Sequence, residues 1–162
     1  MKKILMLGAS LQQVPAIKRA KELGFYVITT DYLPDNPGHK IADQAYDVST
    51  TDLDAVLELS QRLCIDGIVA YASDPAAPTA AYVAEKMGLP GNPYESVELL
   101  TKKDLFRDFL IKNNFSSPMA QGFTSFEDAK ANIDKFKFPV MVKPVDSSGS
   151  KGVVKITEKS QL

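Results

Sequence analysis

The chain has 162 residues, 44% hydrophobic and 24% charged, with a formal net charge of −1 at pH 7. This is an ordinary globular composition, with apolar material for one average domain or two small ones. Interspersed, nearly balanced charge argues against electrostatically driven binding to nucleic acid or to an anionic membrane, although a local basic pocket would not show in the total.

With one cysteine, Cys64, and one histidine, His39, the chain has no internal disulfide and no zinc-ligand cluster. Cys64 falls in the helical pattern "LDAVLELSQRLC" and reads as a packing residue. The start "MKKILMLGAS" is basic then apolar, but too short for a secretory core and without a cleavage pattern. No stretch approaches the roughly 18 apolar residues of a membrane span, so the cytoplasm is the expected location.

The first half alternates between strand and helix. "KILMLGA" (3–9) and "YVITTDY" (26–32) are short β-rich runs, and between them Val14, Ile17, Ala20 and Leu23 mark a helix closing at Gly24. "AYDV" (45–48) precedes a helix with Leu53, Val56, Leu57, Leu63 and Cys64 on one face. "GIVAYA" (67–72) precedes an alanine-rich helix ending at "KMGLPG". This order predicts an α/β fold with a Rossmann-like parallel sheet covered on both faces. Ligands bind such sheets beyond the strand carboxyl ends, here Gly8-Ala9-Ser10, Asp31-Tyr32 and Ala72-Ser73-Asp74.

"LPGNP" (89–93) reads as a domain boundary, with Asn92 as a cap and Pro93 in the first turn of a new helical segment. In "YESVELLTKKDLFRDFLIKNN", Leu105 pairs with Phe109 and Phe106 with Leu110 at helical spacing. Ser125, with Asp128 three residues on, caps a further helix carrying Phe126, Ala129, Ile133 and Phe136. "PVMVKPV" and "VVKIT" then read as a hairpin, and Ser160 as the cap of a helix that does not follow. The first domain is expected to fold by itself. The second is expected to expose apolar surface, with 146–152 mobile when nothing anionic is bound.

Between the hairpin strands lies Asp146-Ser147-Ser148-Gly149-Ser150-Lys151-Gly152. Small side chains let its backbone N–H groups approach an anion, and the glycines permit positive φ. The G-x-x-x-x-G-K-[ST] spacing of a P-loop is absent, so the loop alone is either a turn or a phosphate cradle. Lys143 follows "PVMV", where poor solvation would call for an anionic partner, a phosphate or a protein carboxylate. Lys102 and Lys103 open a helix, where the macrodipole disfavours cations; they are either solvated or reach a phosphate. "GASLQQ" lacks G-x-G-x-x-G, so Gly8 and Asp31 alone make a weak dinucleotide signal.

Together, "LLTKKDLFRDFLIKNNFSSP" and "FPVMVKPVDSSGSKGV" resemble the ATP-grasp superfamily, and are most similar to its carbamoyl-phosphate synthase large-subunit-like and carboxylate–amine ligase branch. Through "GAS", "TTDYLPDNPGHKIAD" and "ASDPAAPTAA" the first half resembles the domain preceding the ATP-grasp fold. The resemblance implies a pre-ATP-grasp, substrate-side domain over 1–91 and an incomplete first ATP-grasp subdomain over 92–162. It makes Lys143 the strand lysine on ATP phosphate, 146–152 the flexible loop over the phosphates, and Lys103 the lysine of an "NK" motif in which Lys102 replaces Asn. Gly8, Ser10, Asp31, Ser73 and Asp74 fall on substrate-side loops.

Such enzymes use MgATP to activate a carboxylate as an acyl phosphate, which an amine or similar nucleophile attacks. The catalytic and magnesium ligands are expected in a further subdomain, with none assigned in this chain, which alone should be inactive. The alternatives are a non-catalytic nucleotide- or small-molecule-binding module, or half of a split ligase working with a partner chain; a homo-oligomer is also open. A redox Rossmann enzyme ranks last.

Overall fold

A computed structural model describes residues 1–161. The chain divides into two compact units, Met1–Glu98 and the part from Leu99 onward. The division falls inside a helix rather than at the "LPGNP" turn; Leu162, the last residue of the expected second domain, lies outside the described residues.

The first unit holds strands β1 (Lys3–Leu7), β2 (Tyr26–Thr30), β3 (Gln44–Tyr46) and β4 (Gly67–Val69) in the order β3-β2-β1-β4. All pairings are parallel, with Leu5 opposite Ile28 and also opposite Ile68. Successive side chains in a strand point to opposite faces, so each central strand supplies two cores. Leu5, Leu7, Ile28 and Ile68 pack on one face with Val56 of helix α2 (Leu53–Leu63) and Val83 and Ala84 of helix α3 (Ala77–Met87). Met6 and Val27 pack on the other with Ile17 and Ala20 of helix α1 (Val14–Glu22). This is the doubly covered parallel sheet the alternation predicts. Fully burying one such aliphatic side chain stabilises by about 1.5–3 kcal/mol.

Local signals place the helices. Asp52 caps α2 by accepting from the Ala55 N–H at 3.0 Å. Gly24 takes φ +82 just after α1. The Asp43 carboxylate accepts from Lys21 Nζ at 2.6 Å and from the Val27 N–H at 2.8 Å, tying the β2–β3 loop to the start of β2. The Lys21 hydrogen bond, helped by that of Val27, holds the Asp43 carboxyl below the ordinary aspartate value against the opposing effect of burial.

Two packing expectations fail. Cys64 is exposed, because it is the left-handed C-cap of α2 at φ 50 and its side chain leaves the buried face. Leu23 is likewise exposed at the end of α1, in the C-cap position.

Helix α4 (Tyr94–Thr101) starts with the Pro93 carbonyl accepting from Val97, and the Tyr94 N–H is met by the Glu85 carboxylate of α3 at 3.1 Å. A neighbouring helix thus supplies the acceptor that Asn92 was expected to provide. As the sequence indicates, a helix opens at these lysines: Lys102, at extended φ −89, ψ 118, occupies the N-cap position of α5 (Lys103–Lys112). Helix α6 (Phe126–Asn132) carries the expected cap, Ser125 Oγ accepting from the Asp128 N–H at 3.1 Å. Strands β5 (Val140–Val142) and β6 (Val154–Ile156) form the expected antiparallel hairpin. Ser160 lies inside a short 3-10 turn, Lys159–Gln161.

The second unit has a thin core. Among the described residues, Ile133 and Ile156 are its buried hydrophobics, whereas Phe115, Met119, Phe126, Met141 and Val154 are each more than half exposed. A two-stranded sheet has too little apolar face to stabilise itself. Limited proteolysis is therefore expected to cut within 99–161 before 1–98. First cuts inside the parallel sheet would contradict this ranking of the two units.

Candidate functional site

At the carboxyl edge of the parallel sheet, β1 and β4 flank the point where the strand order reverses, the usual ligand crevice of such sheets. Gly8 takes φ +100, and a Cβ there would meet Gln13 Cδ at 3.2 Å. Glycine thus lets Gln13, only 3% exposed, fold back under the turn. Its Oε1 accepts from the Ser10 N–H at 3.1 Å and from the Ser10 hydroxyl at 2.6 Å, and its Nε2 donates to the Tyr71 carbonyl at 2.8 Å. One buried amide therefore spans the crevice from the β1 turn to the loop after β4.

Asp31, 8% exposed, is occupied by backbone. Its Oδ2 accepts from the Ala9 N–H at 3.0 Å and its Oδ1 from the Leu33 N–H at 3.1 Å. It brackets the β1 and β2 ends, which accounts for an acid at this position without a ribose. Ser73 stands in the N-cap position of a 3-10 turn, Asp74–Ala76, without a side-chain capping bond, and the Asp74 side chain is exposed beside it. Ala72, in the same loop, takes φ 52, an uncommon conformation for a residue with a Cβ.

Gly8, Ser10 and Asp31 are thus joined through Ala9 and Gln13, while Ser73 and Asp74 follow Tyr71 on the far side. Sequence reasoning missed Gln13 as the bridging side chain. It also missed Gly38, whose N–H donates to the Ala9 carbonyl at 2.7 Å and where a Cβ would stand 2.6 Å from that oxygen. The turn pair Pro37-Gly38 was the one available signal for that close approach.

The second unit holds the other set of residues. It carries eleven Lys and Arg against seven Asp and Glu, so the balanced total conceals a basic half. Lys103, the first residue of α5, donates its backbone N–H to the Val145 carbonyl at 3.1 Å. Its ammonium donates to the same oxygen at 3.2 Å and also to the Ser147 carbonyl. A distant loop carbonyl thus takes one of the orphan N–H groups of a helix whose cap residue, Lys102, makes no side-chain cap.

The loop's conformation is set by three left-handed residues, Gly149 at φ +63, Ser150 at φ 59 and Gly152 at φ +69. A Cβ at Gly152 would lie 2.9 Å from Pro144 Cγ, so glycine is required there for space as well. Ser147 Oγ donates to the Lys151 carbonyl at 3.2 Å, and the Lys151 N–H to the Ser148 carbonyl at 3.3 Å. Among the described residues, the N–H groups of Asp146, Ser147, Ser148, Gly149 and Ser150 donate to no protein acceptor. Asp146 and Lys151 are exposed, Ser147 and Ser148 half-buried.

Lys143 is exposed, contrary to the poor solvation expected from "PVMV". The ladder's last pair before the loop is Val142 opposite Val154, so Lys143 lies just past it, where the hairpin opens. An exposed lysine needs no internal carboxylate. Among the described residues, no group of three or more His, Cys, Asp and Glu could hold a metal ion, and no helix is long and apolar enough to cross a membrane.

The whole chain aligns with solved proteins of one architecture. It covers 98% of itself and 42% of N5-carboxyaminoimidazole synthetase from Staphylococcus aureus, complexed with ADP, at TM-score 0.75 and 20% identity. It covers 99% of itself and 40% of phosphoribosylglycinamide synthetase from Anaerococcus prevotii, at TM-score 0.68 and 25% identity. In sequence it is 30% identical to the formate-dependent phosphoribosylglycinamide formyltransferase of Burkholderia thailandensis, over 93% of this chain and 38% of that protein. No protein-family model matches the chain.

These relatives are ATP-grasp ligases, and this chain has the α/β fold, with a parallel sheet, of part of such proteins. The chain spans well under half the length of the relatives it matches. Their names support the superfamily without singling out its carbamoyl-phosphate synthase branch.

The Asp31 bracket gives a direct test of its structural role. Asp31→Ala should cost about 2–3 kcal/mol in urea unfolding, because two N–H groups lose a charged acceptor and that of Ala9 is left buried. A loss below about 0.5 kcal/mol, typical of an ordinary surface change, would contradict the assignment.

Proposed function

We propose that the chain is the N-terminal portion of an ATP-dependent ligase. In this reading 1–91 is the substrate-side domain and 92–162 opens the ATP-grasp fold. Lys103, Lys143 and the loop Asp146-Ser147-Ser148-Gly149-Ser150-Lys151-Gly152 form one wall of the ATP phosphate site. Gly8, Ser10, Asp31, Ser73 and Asp74 form the substrate-side edge, with Asp31 acting there through the loops it brackets. The observation that carries the reading is the loop itself: five successive N–H groups without a protein acceptor, in a unit with a surplus of cations.

The chemistry suits those parts. A carboxylate oxygen of the substrate attacks the γ-phosphorus of ATP, the bond to ADP breaks, and an acyl phosphate forms. An amine then attacks the acyl carbon, phosphate leaves, and the nitrogen loses a proton. Charge on the transferring phosphoryl group is stabilised by amides and ammonium groups placed in advance. At an effective dielectric constant of 20, a lysine about 4 Å from a phosphate charge gains roughly 4 kcal/mol. Magnesium would accompany the nucleotide, its ligands coming from outside these residues.

The relatives' names favour the carboxylate–amine branch, since formate is a carboxylate and phosphoribosylglycinamide carries an amine. Carbamoyl-phosphate synthase-like activity is the more distant form of the same chemistry. Small-molecule carboxylate and amine substrates in the cytoplasm follow from this reading.

Calorimetric titration with MgATP tests the phosphate wall. Lys143→Met should weaken ATP binding about tenfold or more, equivalent to about 1.4 kcal/mol, with little change in folding because Lys143 is exposed. Unchanged affinity in Lys143→Met would remove Lys143 from the site.

A further inference from the structure

The carbonyl oxygens held by Lys103 fix more than the helix end. In a trans peptide the C=O of one residue and the N–H of the next point in opposite directions. With the Val145 and Ser147 carbonyls turned toward Lys103, the N–H groups of Asp146 and Ser148 are turned away from it. Neither N–H has a protein acceptor among the described residues. The same ammonium that gathers two carbonyls therefore faces two donors outward.

We propose that Lys103 is a positioning residue for the glycine-bearing loop. It sets the Val145–Asp146 and Ser147–Ser148 peptide planes before any ligand arrives, so that their N–H groups are presented as a preformed donor pair for a polyphosphate. Lys143 and Lys151, both exposed, supply the charge that meets the anion. The donor-pair part rests on the phosphate-site reading above; the setting of the loop does not. Three features make one residue sufficient. The Lys103 backbone N–H and ammonium converge on a single oxygen, which fixes the direction of that carbonyl. Two left-handed glycines and Ser150 leave the rest of the loop with few bonds of its own. Ser147, whose carbonyl Lys103 holds, is also the residue whose hydroxyl reaches the Lys151 carbonyl across the loop.

The test is nitrogen-15 relaxation of the loop amides in the nucleotide-free full chain, followed by titration with inorganic tripolyphosphate. In the unmodified protein, amides 146–152 should show order parameters of about 0.8. In Lys103→Met they should fall below about 0.6, the range of flexible backbone. Lys103→Arg, which keeps a charged fork of donors, should restore most of the order. A general folding defect would lower order in α6 as well, so unchanged α6 amides serve as the control. Lys103→Gln, neutral but still a donor, replaces Lys103→Met if the latter does not fold. Tripolyphosphate affinity should fall about tenfold in Lys103→Met and recover in Lys103→Arg.

Loop order unchanged in Lys103→Met, whether or not tripolyphosphate affinity falls, would overturn the proposal; a fall in affinity alone would make Lys103 a direct phosphate contact. Loss of loop order with no tripolyphosphate or ATP binding by the unmodified chain would uphold the positioning role and refute the ATP-site reading instead.

Discussion

The ammonium of Lys103 donates to the carbonyl oxygens of Val145 and Ser147, and the geometry of the second unit around the loop follows from that contact. Because the same residue begins α5, the contact joins a helix end to a hairpin loop and answers one unmet N–H of that helix. Asp31 does the converse in the first unit, accepting two backbone N–H groups and bracketing the ends of β1 and β2. In both places a charged side chain is spent on backbone groups rather than on an opposite charge. Hydrogen bonds with one charged partner are about twice as strong as neutral ones, so a single residue can hold a loop that has little packing.

The two units rest on different energetics. The parallel sheet is buried on both faces, with Leu5, Leu7, Val27 and Ile28 fully enclosed. The second unit has local bonds, a capped helix and a short hairpin, with few buried apolar side chains. With so little packing around it, the loop owes its conformation to a few hydrogen bonds, those of Lys103 among them. The rigid sheet edge, tied by Gln13 across the crevice, suits a site that holds a small substrate in one orientation.

Much of the fold was legible in the sequence because hydrophobic periodicity and turn residues report directly on it. The βα alternation of 1–88, the Ser125 cap and the hairpin were all readable this way. The helix opening at Lys102 and Lys103 was readable too, but not the Val145 carbonyl, some forty residues away, that meets its first N–H. Lys143 was expected to be poorly solvated because a strand of "PVMV" suggests a covered face; exposure depends on what packs over a strand, which a single segment cannot report. Gln13 was passed over because a glutamine in a helix-opening turn carries no pattern. Its role appears only once Gly8 and Tyr71 are brought together. The chemistry of the loop was readable in its small residues and glycines, but not the direction its peptide planes face.

A nitrogen-15 correlation spectrum of the chain titrated with MgATP into the millimolar range is the most direct measurement, since it maps weak binding residue by residue. The account predicts progressive shifts at the amides of Lys103, Lys143 and 146–152, while those of Gly8, Ser10, Asp31 and Asp74 stay in place. Shifts confined to the carboxyl edge of the parallel sheet, with 143–152 unchanged, would contradict it and move the nucleotide to the first unit.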